Sequence, residues 1–238
     1  MATMFENFWK GHLLMFEHPL APKYDTATGW RLLAAFVMLG LLAIPAMQYG
    51  LRATFVGGQI WSHLAFVCLA LSLFFFVIRW YLKVEPSDVG LRAWSHWTAR
   101  EKGYFFQTAL MAIVLFSLIF EQHLLQLINQ YGLMDFLIFS ALTGLLWGLL
   151  QEFIYRGLLQ TELVRRYGAV AGLLIANIVF TFGPLHANYF HFGSAMPPQW
   201  GMFAMIFGIG LIFGVLYQRT GNLWIPAVFH GLWPLNMI

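Results

Sequence analysis

The chain has 238 residues, 60% of them apolar, 18% aromatic and only 10% charged, with a net charge of +3. A soluble globular domain has about a quarter of its residues charged and roughly 45–50% apolar, so the composition excludes a water-soluble protein and defines an integral membrane protein. The small net charge and the lack of a basic run give no support to a nucleic-acid partner, and the one cysteine, Cys68, excludes an internal disulfide.

Residues 1–29 mix aromatics with Glu6, Lys10, Glu17 and Lys23 and hold no apolar stretch of signal-peptide length. This segment is expected to lie in the cytoplasm or along the cytoplasmic interface. About 20 apolar residues cross a bilayer core, and windows near that length fall at 30–49, 59–82, 104–121, 133–153, 169–187, 200–217 and 222–237. The last holds Pro226 and Pro234 and is expected to be tilted or broken. Isolated strands in lipid leave backbone groups unsatisfied. The expected fold is therefore all-α: a polytopic transmembrane helix bundle with about seven spans. It is one membrane domain, read as N-terminal helices over 30–132 and a core over 133–238. Residues 84–103, the longest polar connection, carry tryptophans suited to the membrane interface.

With the N-terminus inside, Lys10, Lys23, Arg31, Arg79, Lys83, Arg92, Arg100, Lys102, Arg156, Arg165, Arg166 and Arg219 fall on or toward the cytoplasmic side and only Arg52 falls outside. That bias satisfies the positive-inside rule and supports a multi-pass protein with its N-terminus in the cytoplasm and an odd number of spans; the compact chain without eukaryotic-looking features points to a bacterial inner membrane.

The core opens on "LLWGLLQEFIYRGLLQTEL", residues 145–163, where Gln151, Glu152 and Arg156 interrupt a lipid-compatible helix. An ionisable residue inside a membrane is costly and marks a candidate site. Glu152 and Arg156, spaced i, i+4, share a helix face and can pair. The helical pattern runs on to Arg165, Arg166 and Gly168, a cationic last turn followed by a glycine stop. Taking Gly168 as the turn of an antiparallel pair, Glu152 and His186 lie about 24 and 27 Å from it, at nearly equal depth. The carboxylate and the imidazole are thus expected to face each other. Phe182, four residues before His186, is expected on the same face. His230 supplies a third polar position in the last apolar window, whereas His63, His123 and His191 are read as structural.

These residues resemble a known family. "QEFIYRG", the pair Phe182-x-x-x-His186 and "RTGNLWIPAVFH" are similar to the motifs E-E-x-x-x-R, F-x-x-x-H and H-x-x-x-N (or Asp) of the CPBP family of intramembrane proteases, which includes CAAX prenyl-protein endopeptidases and bacteriocin-immunity homologues. The resemblance covers roughly residues 135–238, and it is the three motifs together that make it specific. It implies a bundle with a water-accessible cavity and a glutamic mechanism without a cofactor. In that mechanism the first glutamate and the histidine corresponding to His186 activate water, and third-motif groups stabilise the oxyanion. The second glutamate and the arginine, here Glu152 and Arg156, hold the site together. The implied partners are the lipid bilayer and a membrane-anchored peptide or protein substrate cut near its C-terminus.

Two departures stand out. The first glutamate is Gln151, which has the same shape but no basic carboxylate. The asparagine position after His230 is Pro234, with Asn236 two residues on, about 200° around an ideal helix; Asn236 and Phe182 are the candidates for substrate or oxyanion support. Gln151 leaves three alternatives: a substitution that silences the enzyme, a natural loss of proteolysis in a scaffold or immunity-like homologue, or a site in which Glu152 is the base. A zinc protease using Glu152, His186 and His230 is a further alternative, although the H-E-x-x-H signature is absent. A transporter would want matching polar breaks in both halves, and residues 30–120 show none.

Overall fold

The structure is a computed structural model and describes residues 24–45, 60–138 and 144–232. It is helical, with no strand among the described residues. Helix α1 runs over Thr26–Ala43, its second half π-helical, and is capped by Asp25, whose side chain accepts from the Thr28 N–H. Helix α2 covers Ile60–Phe76 and continues through Val77–Leu82. Short 3-10 turns at Pro86–Val89 and Trp94–His96 carry the polar connection to α3, Ala99–Ile119. There Thr98 and Glu101 form a capping box that satisfies two orphan donors. Helices α4 (Glu121–Tyr131) and α5 (Leu133–Ile138) follow.

The long helix α6 joins Leu145–Glu152, a π-helical stretch Phe153–Gln160, and Thr161–Tyr167. Gly168, at φ 81°, turns the chain into α7, Ala169–Thr181. After the 3-10 turn Pro184–Phe190 come α8 (Trp200–Thr220) and α9 (Trp224–Gly231).

Helix α6 is the axis of the core: every residue from Gly148 to Val164 is buried. Phe36 of α1 meets Tyr155 edge-on at 5.6 Å, and Phe74 of α2 meets Phe153 at 5.5 Å. Helix α9 crosses α6 where glycine faces glycine, since a Cβ on Gly144, Gly148 or Gly231 would land on the facing backbone. Such small-residue contacts let helix axes approach in membranes, where apolar burial does not drive association. Large apolar side chains instead point outward: Leu118 is 77% exposed, Leu69 66% and Met38 60%. A bundle with greasy residues outside and Glu152, Arg156 and Gln160 inside is that of a multi-pass membrane protein.

Seven spans are not evident among the described residues. Thr26–Ala43, Ala99–Ile119 and Trp200–Thr220 are long and apolar enough to cross a membrane, and Ala169–Thr181 with Pro184–Phe190 makes a fourth if that pair, bent by 56°, counts as one. The windows at 133–153 and 222–237 contain the short helices α5 and α9 and the buried, polar-bearing start of α6, and parts of both windows lie outside the described residues. Residues 1–23, with most of the interfacial segment, and Arg52 also lie outside them.

Candidate active site

The polar face of α6 repeats every fourth residue: Glu152, Arg156 and Gln160, all fully buried. The π-helical turn widens the helix here, so that the carbonyl of Arg156 accepts from the Thr161 hydroxyl, five residues on, at 2.9 Å. Such π segments are frequent at functional sites. Arg156 Nη2 donates to the carbonyl of Gly210 at 2.9 Å, and Gln160 Nε2 donates to that of Gly214 at 2.9 Å. From α7, Asn177 donates to the carbonyl of Phe207. Three amide or guanidinium groups thus latch onto α8, where Gly210 and Gly214 let the neighbouring elements approach closely.

Glu152 sits between two partners. Its Oε2 lies 3.4 Å from Arg156 Nε, and its Oε1 lies 2.8 Å from His230 Nδ1. The first pairing is the one expected from the i, i+4 spacing. The second brings α9 to α6 from far along the chain. A carboxylate accepts, so Nδ1 of His230 carries the proton and, in the neutral ring, Nε2 is the acceptor. Although the ion pair is close, neither Oε2 nor Arg156 Nε makes a hydrogen bond.

The depth argument expects His186 to face Glu152, but the hydrogen bond of His186 goes elsewhere. Its Nδ1 donates to the carbonyl of Phe180 at 2.9 Å, which again leaves Nε2 as the acceptor in the neutral ring. The Phe180 ring joins the parts. His186 lies edge-on to it at 5.1 Å and His230 at 5.9 Å, while the Arg156 guanidinium stands 4.8 Å from its centroid. Tyr155 closes the group from behind at 5.1 Å.

Phe182 is corrected as well. Helix α7 ends at Thr181, and Gly183-Pro184 starts a new axis, so Phe182 and His186 share no helix face. Phe182 is 44% exposed and packs on Phe203 and Phe190. Gln151, at the helix position just before Glu152, is buried as well. Asn236 and Pro234 lie outside the described residues. Among the described residues no group of three or more His, Cys, Asp or Glu side chains is placed to hold a metal ion.

Sequence reasoning missed Phe180, Tyr155 and Gln160. Gln160 was within reach, because it continues the fourfold spacing of Glu152 and Arg156. Phe180 stands at no helical period from His186 and carried no such signal.

The fold and site define a helical membrane protein with a buried Glu–Arg–His cluster built by its C-terminal helices. Residues 133–235 match the family model described as type II CAAX prenyl endopeptidase Rce1-like, in agreement with the CPBP resemblance of the three motifs. A similar curated protein is the uncharacterized protein YpbD of Bacillus subtilis (strain 168), 31% identical over 80 residues that make up 34% of this chain and 33% of that protein. The chain therefore spans about a third of the length of the relative it matches. No solved structure matches.

Proposed function

We propose that the cluster is the site of a glutamic intramembrane endopeptidase, and that Gln151 holds the position of its general base in a form that cleaves slowly or not at all. The observation that carries this reading is the contact of Glu152 with His230, which draws the first and third motifs together beside Phe180 and His186. Both imidazoles have Nδ1 committed to an acceptor, which fixes the orientation of each ring. His186 with a carboxylate at position 151 would share the proton taken from water as it attacks the peptide carbonyl. His230, oriented by Glu152, would donate to the developing oxyanion from Nε2 only as an imidazolium, with Asn236 as a second candidate donor. Arg156 holds Glu152 in place and is itself anchored on Gly210. The substrate is a membrane-anchored peptide or protein cut near its C-terminus, and the setting is a bacterial inner membrane with the chain's N-terminus in the cytoplasm.

One observation favours a second reading. Glu152 Oε2 is buried without a hydrogen bond, which favours Glu152 itself as the base. The two readings separate on the Gln151→Glu variant in proteoliposomes, assayed against membrane proteins that accumulate when the gene is deleted. Cleavage gained by the variant supports Gln151 as the silenced base, equal cleavage by both forms assigns the base to Glu152, and none by either leaves a non-catalytic scaffold.

A further inference from the structure

A hydrogen bond at Nδ1 ties each imidazole at one atom and leaves the plane of the ring free to rock. A second, sideways contact is needed to set that plane. For both rings Phe180 supplies it: His186 stands at 86° to the phenyl ring and His230 at 88°. Edge-to-face pairs of this kind are a preferred aromatic geometry. Tyr189 also lies nearly parallel to His186 at 6.2 Å, and Phe213 stacks on His230 at 5.2 Å. Phe180 is the ring that these two sets share, and the Arg156 guanidinium stands over it as well.

Phe180 is itself held firmly. It is 3% exposed, and a Cβ on Gly210 would come within 3.0 Å of its ring, so α8 presses on it at the residue to which Arg156 is tied. Tyr155 of α6 meets it at 77°, and the same tyrosine meets Phe36 of α1 at 70°. The Tyr155 hydroxyl is buried without a hydrogen bond, so the ring rather than the hydroxyl makes the connection. A line of rings thus runs from α1 to the two imidazoles. Helix α1 lies outside the matched residues 133–235.

We infer that Phe180 is a positioning residue for His186 and His230, and that α1 belongs to the framework of the site through Phe36 and Tyr155. The use of the two ordered rings in cleavage rests on the peptidase reading above; their ordering does not.

The ring nitrogens report that ordering. The full chain, carrying nitrogen-15 histidine, is followed by solid-state NMR in proteoliposomes at alkaline pH, with His186→Gln and His230→Gln assigning the signals. In the parent each ring should show one tautomer, protonated at Nδ1 and bare at Nε2. Phe180→Leu keeps the carbonyl that accepts from His186 and removes only the ring. Both histidines should then lose the single-tautomer pattern to averaged signals. Tyr155→Leu and Phe36→Leu should act the same way, more weakly with distance, and Tyr155→Phe should not. Phe74→Leu is the control for packing alone, since Phe74 is a buried ring paired with Phe153. It should lower the melting temperature and leave both patterns intact. Single-tautomer signals at both histidines in Phe180→Leu, or their loss in Phe74→Leu, overturn the inference, and intact signals in Phe36→Leu remove α1 from it. If Phe180→Leu fails to accumulate, Tyr155→Leu decides. No cleavage enters this measurement, so a failure of the peptidase reading and a failure of the positioning are told apart.

Discussion

Glu152 Oε1 and His230 Nδ1 stand 2.8 Å apart across the crossing of α6 and α9, and Arg156 flanks the same carboxylate at 3.4 Å. A carboxylate buried in this way is bearable only because a cation and a ring N–H compensate it. The stability of the core and the alignment of the site therefore depend on the same few atoms.

Arg156→Ala removes the guanidinium from a fully buried carboxylate and breaks the tie to Gly210. Loss of one member of a buried pair costs on the order of 3–5 kcal/mol. The variant should melt well below Gln151→Ala in detergent, as followed by a thiol-independent thermal shift assay. Equal melting of the two variants would contradict the buried pairing.

The glycine contact of α6 with α9 sets the position of His230. A methyl group on Gly148 would meet the backbone of Ala227 and Gly231, so Gly148→Ala must push α9 away. Overpacking of this kind costs about 1–3 kcal/mol. Gly103→Ala, which has open space around it, should melt as the parent does. A Gly148→Ala variant as stable as Gly103→Ala would show that the helices do not cross at this distance.

At the basic end, burial by itself would raise the Glu162 carboxyl, but hydrogen bonds from Arg165 and Arg166 outweigh it and hold the group below its ordinary value of 4.5. A depressed carboxyl contributes stability that is fully present above that ordinary value and is lost as pH falls through the lower, folded-state value. Glu162→Gln should therefore be less stable than the parent at pH 7, and the gap should narrow as pH falls below 4.5. A gap that stays constant down to pH 3 would assign it to packing against Gly29 rather than to charge.

Gln151→Glu should raise cleavage of a membrane-adjacent peptide by roughly 10²–10⁴-fold, the usual worth of a general base. His186→Ala in that background should remove the gain, and a chelator should leave it intact. Loss of activity on chelation, restored by zinc, would replace the glutamic mechanism with a metal-dependent one.

The sequence by itself determined the class of protein and the local geometry. Composition alone made it a membrane protein. The spacing of Glu152 and Arg156 foretold their ion pair, because the i, i+4 relation lies within one helix. Gly168 marked the hairpin, because a glycine after a cationic turn is a local stop signal. What the tertiary structure decided was which distant groups meet. Counting residues from Gly168 gave the depth of Glu152 and His186 but not the direction in which either side chain points, and His230, not His186, took the carboxylate. The step from Phe182 to His186 assumed one straight helix, whereas Gly183-Pro184 breaks it and puts Phe180 between the histidines. The count of about seven membrane spans is not confirmed among the described residues. Apolar windows record greasiness, and the greasy residues of α6 and α9 cover the buried site while those of α3 and α8 face outward.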